Sequence, residues 1–172
     1  MICFNEVPHG NWTLRVGREL GMKHVHVGKV SSANHKDKYK SILSRFPLRD
    51  KSEVAFDSKG WKPASVVTTR TNIKGVPLKL YSTHIPGQPD VENSAASFIS
   101  KKMLSDPHED NLFVLGDFNN LLFEGALKAF KEAGMKSIWH GLSINTDSIS
   151  THRHIESGNC LLYTSDAADD FV

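Results

Sequence analysis

Cysteine, long apolar runs and repeated segments are all scarce or absent in this sequence. The two cysteines, Cys3 and Cys160, offer neither a disulfide framework nor a metal-binding spacing, so they indicate no compartment. No apolar stretch approaches the roughly 20 residues of a membrane-spanning helix, and no secretory signal follows Met1. No linker or low-complexity tract divides the chain. The sequence therefore predicts one domain of undetermined localisation.

The composition is that of an ordinary globular domain. The chain has 172 residues, of which 39% are hydrophobic and 23% are charged, which is enough for a core. A formal net charge of +2 permits an anionic substrate without requiring nucleic acid. Lys36, Lys38 and Lys40 alternate with Asp37 and Tyr39, a pattern more typical of a solvated loop than of a phosphate-binding track.

Hydrophobic periodicity predicts a layered fold of strands and helices. Strands are predicted over residues 2–7, 23–27, 39–44 and 112–115, with a hairpin of residues 65–73 and 76–84. Helices are predicted over residues 12–20, 91–104 and 125–133, and a loop over residues 31–38. The combination of a hairpin with alternating strands and helices favours an α/β fold with mixed strand directions.

The stretch Gly116-Asp117-Phe118-Asn119 carries the most chemical information. It follows an apolar run at residues 112–115, which is typical of a buried strand, and Gly116 permits a sharp turn there. An acid and an amide are thereby placed at the carboxyl end of a strand, where ligand chemistry is common. Asp117 can orient a water and Asn119 can donate to an oxyanion. The alternative is that both are ordinary turn residues.

Four elements in order extend this pattern: Asn5-Glu6 after an apolar strand, ILSRFPL at residues 42–48, STH at residues 82–84, and GDFN at residues 116–119. This order resembles the endonuclease/exonuclease/phosphatase superfamily over residues 2–154. The superfamily comprises divalent-metal phosphoesterases, among them DNase-I-like nucleases, abasic-site endonucleases, sphingomyelinases and inositol phosphatases. The resemblance implies a DNase-I-like four-layer α/β/β/α sandwich.

The resemblance also implies a role for each matching residue. Glu6 corresponds to the acid that binds Mg²⁺ or Mn²⁺, hard cations that prefer carboxylate oxygens, although Asn5 stands where the family usually has Gln. His84 corresponds to the histidine that contacts the scissile phosphate. Asp117 and Asn119 correspond to the residues that orient the water and stabilise the phosphoryl charge. The alternatives are a surface Glu6 and a satisfied or exposed His84 at a hairpin end.

The sequence departs from the family pattern in three places. It has no strand with an asparagine before residue 2, no Asp-His dipeptide and no Ile-Asp-Tyr type segment. Residues 160–169 read CLLYTSDAAD, which resembles a translated transposon-type sequencing adapter; a genuine polar tail is the alternative. We therefore expect a partial domain over residues 1–159, lacking its first and last strands, and a non-native tail over residues 160–172.

Together these observations predict a metal-dependent phosphoesterase that is seen as a fragment, unstable and nearly inactive alone. The alternative from another class is a non-catalytic binding or scaffolding module of the same fold. The substrate is a phosphate ester, with nucleic acid, a lipid head group and a small phosphodiester all left open, as is the oligomeric state. Trp12, Trp61 and Trp139 are interpreted as packing residues.

Overall fold

A computed structural model describes residues 1–87, 94–106, 111–120 and 125–144, and the backbone of residues 152–153 and 160–161. The strands are β1 (Ile2–Val7), β2 (His24–Val27), β3 (Tyr39–Ser44), β4 (Arg49–Phe56), β5 (Ala64–Ile73), β6 (Val76–His84), β7 (Asn111–Asp117), β8 (His152–Arg153) and β9 (Cys160–Leu161). The helices are α1 (Trp12–Glu19), α2 (Ala95–Ser105), α3 (Lys128–Glu132) and α4 (Ile138–Gly141), with 3₁₀ turns at Ser32–Asn34 and Gly125–Leu127.

A three-stranded antiparallel sheet in the order β1-β3-β2 carries α1 on its outer face. Thr13 on α1 donates to Ser41 on β3 at 3.2 Å. Gly17 allows this helix to approach the sheet, because a Cβ at this position would lie 3.2 Å from Leu43 Cδ2 and 2.8 Å from Met22 O. Helix α1 ends at Glu19, and Gly21 follows in the left-handed region with φ of 63°. The predicted helix and its glycine stop are confirmed.

A four-stranded sheet in the order β4-β5-β6-β7 forms the second inner layer. Its strands are antiparallel except that β6 and β7 run parallel, so His84 lies opposite Asp117. Helices α2 and α3 cover its outer face through buried side chains that include Val66, Tyr81, Ile99 and Phe130. A small second cluster of Ile42, Val67 and Leu80 packs between the two sheets. The predicted four-layer α/β/β/α arrangement is confirmed.

Strand β4 was not predicted from the sequence. Residues 49–53 present five polar or charged side chains in succession, and only Val54 and Phe56 supply the apolar alternation that marks a strand. Pairing with β5, which lies between β4 and β6, makes this segment a strand. Tertiary pairing therefore overrides the local pattern.

Helix α2 begins at Ala95 and ends at Ser105, whereas the sequence predicted a helix over residues 91–104. The side chains that it buries also differ in part from the predicted apolar face. Ser94 caps it by accepting from Ser97 N at 3.1 Å, while predicted residues 91–93 lie outside the described residues. The buried face consists of small side chains with Ile99 and Met103. Phe98 and Leu104, which the apolar spacing over residues 91–104 places on or near one face with Ala95 and Ile99, are exposed. The predicted apolar face was therefore wrong in part.

Strand β7 is longer than predicted and only half-buried. Leu112 and Val114 pack against the main core, whereas Phe113 and Leu115 on the other face are exposed. Within the described part of the chain, β7 lies at the edge of its sheet. The predicted fully buried strand was therefore wrong. No helix among the described residues is both long and apolar enough to cross a bilayer.

Candidate active site at the ends of the two inner sheets

The parallel register of β6 and β7 brings His84 and Asp117 together. The two residues are direct partners at the carboxyl ends of their strands, and His84 Nε2 lies 3.6 Å from Asp117 Oδ2. The His84 side chain has no exposed surface, whereas 16% of the Asp117 side chain is exposed. The pair therefore presents its carboxylate towards solvent and keeps its imidazole inside.

Gly116 sits inside β7 instead of in a turn. Its φ is 153°, and a Cβ there would overlap the carbonyl oxygen of Thr83 on β6. The sequence-based explanation, a sharp turn that only glycine permits, was wrong. Glycine is required because the two strand backbones meet too closely for any side chain just before Asp117.

Asn119 connects the two strand ends. Its backbone adopts the left-handed region with φ of 45°, and its N–H donates to Asp117 Oδ1 at 3.1 Å. Its side-chain Nδ2 donates to Ile85 O at 2.8 Å and lies 3.3 Å from His84 Nε2. Asp117, Asn119 and His84 thus form one hydrogen-bonded cluster, as the sequence interpretation requires.

The amide of Asn119 selects the tautomer of His84. Because an amide nitrogen only donates, His84 Nε2 accepts and the imidazole proton resides on Nδ1. Among the described residues, His84 Nδ1 and Asn119 Oδ1 are buried without a hydrogen-bond partner. Buried polar groups of this kind normally have a partner, which an ordered water, an ion or a substrate can supply.

Burial keeps His84 neutral. The pKa of His84 is lowered to about 3, chiefly by desolvation on burial and also by Lys38, Lys40 and His35. Its contact with the Asp117 carboxylate at 3.6 Å is therefore not an ion pair at neutral pH. The edge of Trp61 covers the imidazole, with ring centroids 4.6 Å apart at an interplanar angle of 87°.

Glu6 lies beside this cluster without joining it directly. It occupies an irregularity in β1, with φ of 52°, and 47% of its side chain is exposed. Its carboxylate pairs with Lys38 Nζ at 3.1 Å, and the same ammonium lies 5.7 Å from the Trp61 ring centroid. The described residues contain no group of three or more His, Cys, Asp or Glu arranged to hold a metal ion.

Sequence reasoning missed three neighbours of the site. Asn5, with its amide oriented to satisfy both groups, donates to Thr83 O at 3.0 Å and accepts from Asp117 N at 2.7 Å. Trp61 and Lys38 reach the site from separate loops, which no local pattern connects. The one sequence feature that pointed to a role for Asn5 in the site was its position directly before Glu6.

The interpretation of the alternating lysines as a solvated loop was wrong for Lys40. Lys40 belongs to β3 and is fully buried, because its side chain lies on the same strand face as Ile42, between the sheets. Lys38 is also largely covered, with 19% of its side chain exposed.

Comparison with known proteins agrees with this architecture. The model of the Endonuclease/Exonuclease/phosphatase family matches residues 1–162, and no curated protein matches the chain. Similar solved structures are a family protein from Leptotrichia buccalis C-1013-b (16% identity, TM-score 0.62), truncated Caenorhabditis elegans TDP2 (14%, 0.60) and a beta toxin from Staphylococcus aureus (15%, 0.55).

These structural matches cover 95%, 94% and 78% of this chain, and 68%, 66% and 58% of the respective related chains. At such low identity they show a shared fold, whereas the family match extends over most of the sequence. The chain belongs to the Endonuclease/Exonuclease/phosphatase family.

Proposed function

We propose that this chain carries part of the active site of a divalent-metal-dependent phosphoesterase, which hydrolyses a phosphodiester or phosphomonoester by in-line attack of water. The observation that carries the proposal is the cluster of Asp117, Asn119 and His84 at the ends of β6 and β7. Phosphoryl transfer depends mainly on positioning and charge stabilisation, and hydrogen-bonded carboxylate, amide and imidazole groups provide both.

Asp117 is proposed to orient the attacking water. Its Oδ1 accepts from Asn119 N, and its own backbone N–H is held by Asn5, so the carboxylate is fixed at the strand end. Part of this side chain, 16%, is exposed to solvent, so a water can reach the carboxylate. A fixed acceptor reduces the entropy lost in aligning the nucleophile.

His84 and Asn119 are proposed to hold the phosphoryl group through neutral hydrogen-bonding groups. His84 in its Nδ1–H tautomer donates without bringing a charge of its own. In the described structure the imidazole lies beneath Trp61, so direct contact with a substrate requires this ring to move.

The donor set fits a hard divalent cation such as Mg²⁺ or Mn²⁺. Glu6 supplies a half-exposed carboxylate, and Asn119 Oδ1 is a buried oxygen without a partner among the described residues. Mg²⁺ commonly binds one or two carboxylates and completes its shell with waters and substrate oxygens. When bound, the cation would act as a Lewis acid on a phosphate oxygen.

A second candidate, a non-catalytic binding or scaffolding module, is favoured by two specific features. Lys38 neutralises the proposed metal ligand Glu6, and His84 has no exposed surface. The proposed substrate class is a phosphate ester, because the cluster contains groups that can bind a phosphoryl group. A nucleic acid, a lipid head group and a small phosphodiester all contain such a group.

The test compares this chain with the complete parental reading frame in hydrolysis of bis(p-nitrophenyl) phosphate with Mg²⁺ or Mn²⁺. We expect metal-dependent turnover by the complete frame, a loss of about 100-fold or more in Asp117→Ala, and little activity from this chain alone. Arg15→Ala, an exposed residue on α1, is the control. A folded parent that is inactive towards both diesters and monoesters would favour the binding module.

A further inference from the structure

Lys40 is a buried lysine whose position the proposed mechanism leaves unexplained. It lies on β3 with no exposed surface, on the strand face that points between the two sheets. Two residues further along, Ile42 packs on that face with Val67 and Leu80. Placing an ammonium group in such a layer is costly unless it is paired.

The partners of Lys40 do not compensate this cost. Its Nζ donates to Ser32 Oγ at 3.2 Å, and within the described residues no carboxylate lies within ion-pair distance. Glu53 raises the pKa of Lys40 and so offsets part of the cost, but its carboxylate already accepts from the backbone N–H groups of Lys29 and Val30 and from Ser65 Oγ. Burial lowers the pKa of Lys40 to about 8, so it is still mainly charged at pH 7.

A second buried lysine shows what pairing looks like in this fold. Lys79 on β6 has a similar burial, but its Nζ lies 3.0 Å from Asp106 Oδ2. Asp106 also accepts from Tyr81 Oη. Lys79 therefore has a carboxylate partner, whereas Lys40 has a hydroxyl.

The charge of Lys40 reaches the candidate active site. On β6, the side chains that face the other sheet change from apolar Leu80 to polar Ser82 and then to His84. Lys40 and His84 lie on these facing sides of β3 and β6, on which Ile42 and Leu80 pack together. In keeping with this position, Lys40 is among the groups that lower the pKa of His84. The Asp117 carboxylate, 3.6 Å from His84 Nε2, would repel an anionic substrate.

We infer that Lys40 is a buried positive charge that stabilises the anionic phosphoryl group bound at the His84 end of the sandwich. The inference rests on the proposed function, because it assigns the phosphate-ester substrate to that same end. The ammonium group of Lys40 acts through its electric field across the layer between the two sheets. It does not touch the substrate, so Lys40 is a positioning residue. A cation in a poorly hydrated layer attracts an anion more strongly than an exposed lysine does.

The experiment measures inorganic phosphate binding by isothermal titration calorimetry and urea unfolding, on the full chain with Mg²⁺ present. Lys40→Met is expected to weaken phosphate binding about tenfold and to raise the urea midpoint, because an uncompensated buried charge is removed. Lys79→Met is the matched control and should lower the midpoint, since it leaves Asp106 without its cation, with phosphate binding unchanged.

The inference predicts that Lys40→Met raises the free energy of unfolding while it weakens phosphate binding. A lysine with a purely structural role would not change phosphate affinity in this way. Unchanged phosphate affinity, or a lower urea midpoint, in Lys40→Met would overturn the inference. Lys40→Gln is the second variant, and failure of both variants to fold would also overturn it. Lys40-dependent phosphate binding by a protein that hydrolyses no phosphoester would contradict the proposed function and leave the inference standing.

Discussion

The side-chain oxygen of Asn5 accepts a hydrogen bond from the backbone N–H of Asp117 across 2.7 Å. Asn5 belongs to β1 of the three-stranded sheet and Asp117 to β7 of the four-stranded sheet, so this bond crosses the sandwich. The same amide donates to Thr83 O, the group that faces Gly116. One side chain thus fixes the strand end that carries the candidate water-orienting carboxylate.

Asn5→Ala is expected to destabilise the fold by about 1–3 kcal/mol, because it leaves the Asp117 N–H and the Thr83 carbonyl oxygen without this partner. Urea unfolding measures the change. Asn111→Ala is the control: its Nδ2 donates to Pro77 O at 3.1 Å, from β7 to β6 within one sheet and at an exposed position. Equal losses in the two variants would contradict the special role of Asn5.

Gly116→Ala is expected to cost more than about 3 kcal/mol, since the new Cβ overlaps Thr83 O and the parallel strands must separate. Gly134→Ala is a matched control: Gly134 has φ of 79°, but a Cβ there meets nothing within 4 Å. It should lose only about 1 kcal/mol from the backbone conformation. A comparison of urea midpoints tests this, and similar midpoints would argue against the close approach.

Stability should fall as the pH decreases from about 6.5 towards 3. The folded protein keeps His84 neutral because its pKa is lowered to about 3, chiefly by burial, whereas the unfolded chain takes up a proton near the ordinary histidine pKa of 6.5. The unfolded state therefore binds more protons in this window, and the stabilisation is complete only above it. His84→Gln should flatten the pH dependence of the urea midpoint, while His9→Gln at an exposed position should not.

Lys38→Met should strengthen Mn²⁺ binding by about tenfold, because it removes the ammonium group that now lies 3.1 Å from Glu6. Mn²⁺ titration followed by electron paramagnetic resonance measures free metal without requiring turnover. Lys62→Met is the control, since Lys62 is mostly exposed and pairs with Asp57 Oδ2, at the longer distance of 4.0 Å, instead of with Glu6. Unchanged or weaker Mn²⁺ binding in Lys38→Met would remove Glu6 as the metal ligand.

Strand β7 lies at the sheet edge in the part of the chain that the structure describes, and its exposed apolar side chains should make this chain self-associate. Phe113 and Leu115 are exposed on that strand, next to the exposed side chains of Ile138 and Trp139. Sedimentation velocity should show concentration-dependent oligomers, reduced in Leu115→Lys but not in Leu14→Lys, an exposed leucine on α1. A soluble wild-type monomer with a sharp, cooperative thermal transition would contradict this prediction.

Local pattern was sufficient for much of the fold. Strands β1, β3 and β6 begin and end at the predicted residues, because their apolar and β-branched alternation is strong and their boundaries carry turn residues. The motif at residues 116–119 and the strand-final His84 were also evident, since the order of short motifs along the chain is a property of the sequence.

The sequence by itself thus determined the family, most strand positions and the residue types of the candidate site. Tertiary structure alone decided which atoms meet: parallel pairing aligns His84 with Asp117, and strand approach explains Gly116. It also decided that Lys40 is buried, against its local charge pattern. The physical reason is that burial, register and electrostatic environment arise from residues distant in sequence, which hydrophobic periodicity within one segment does not contain.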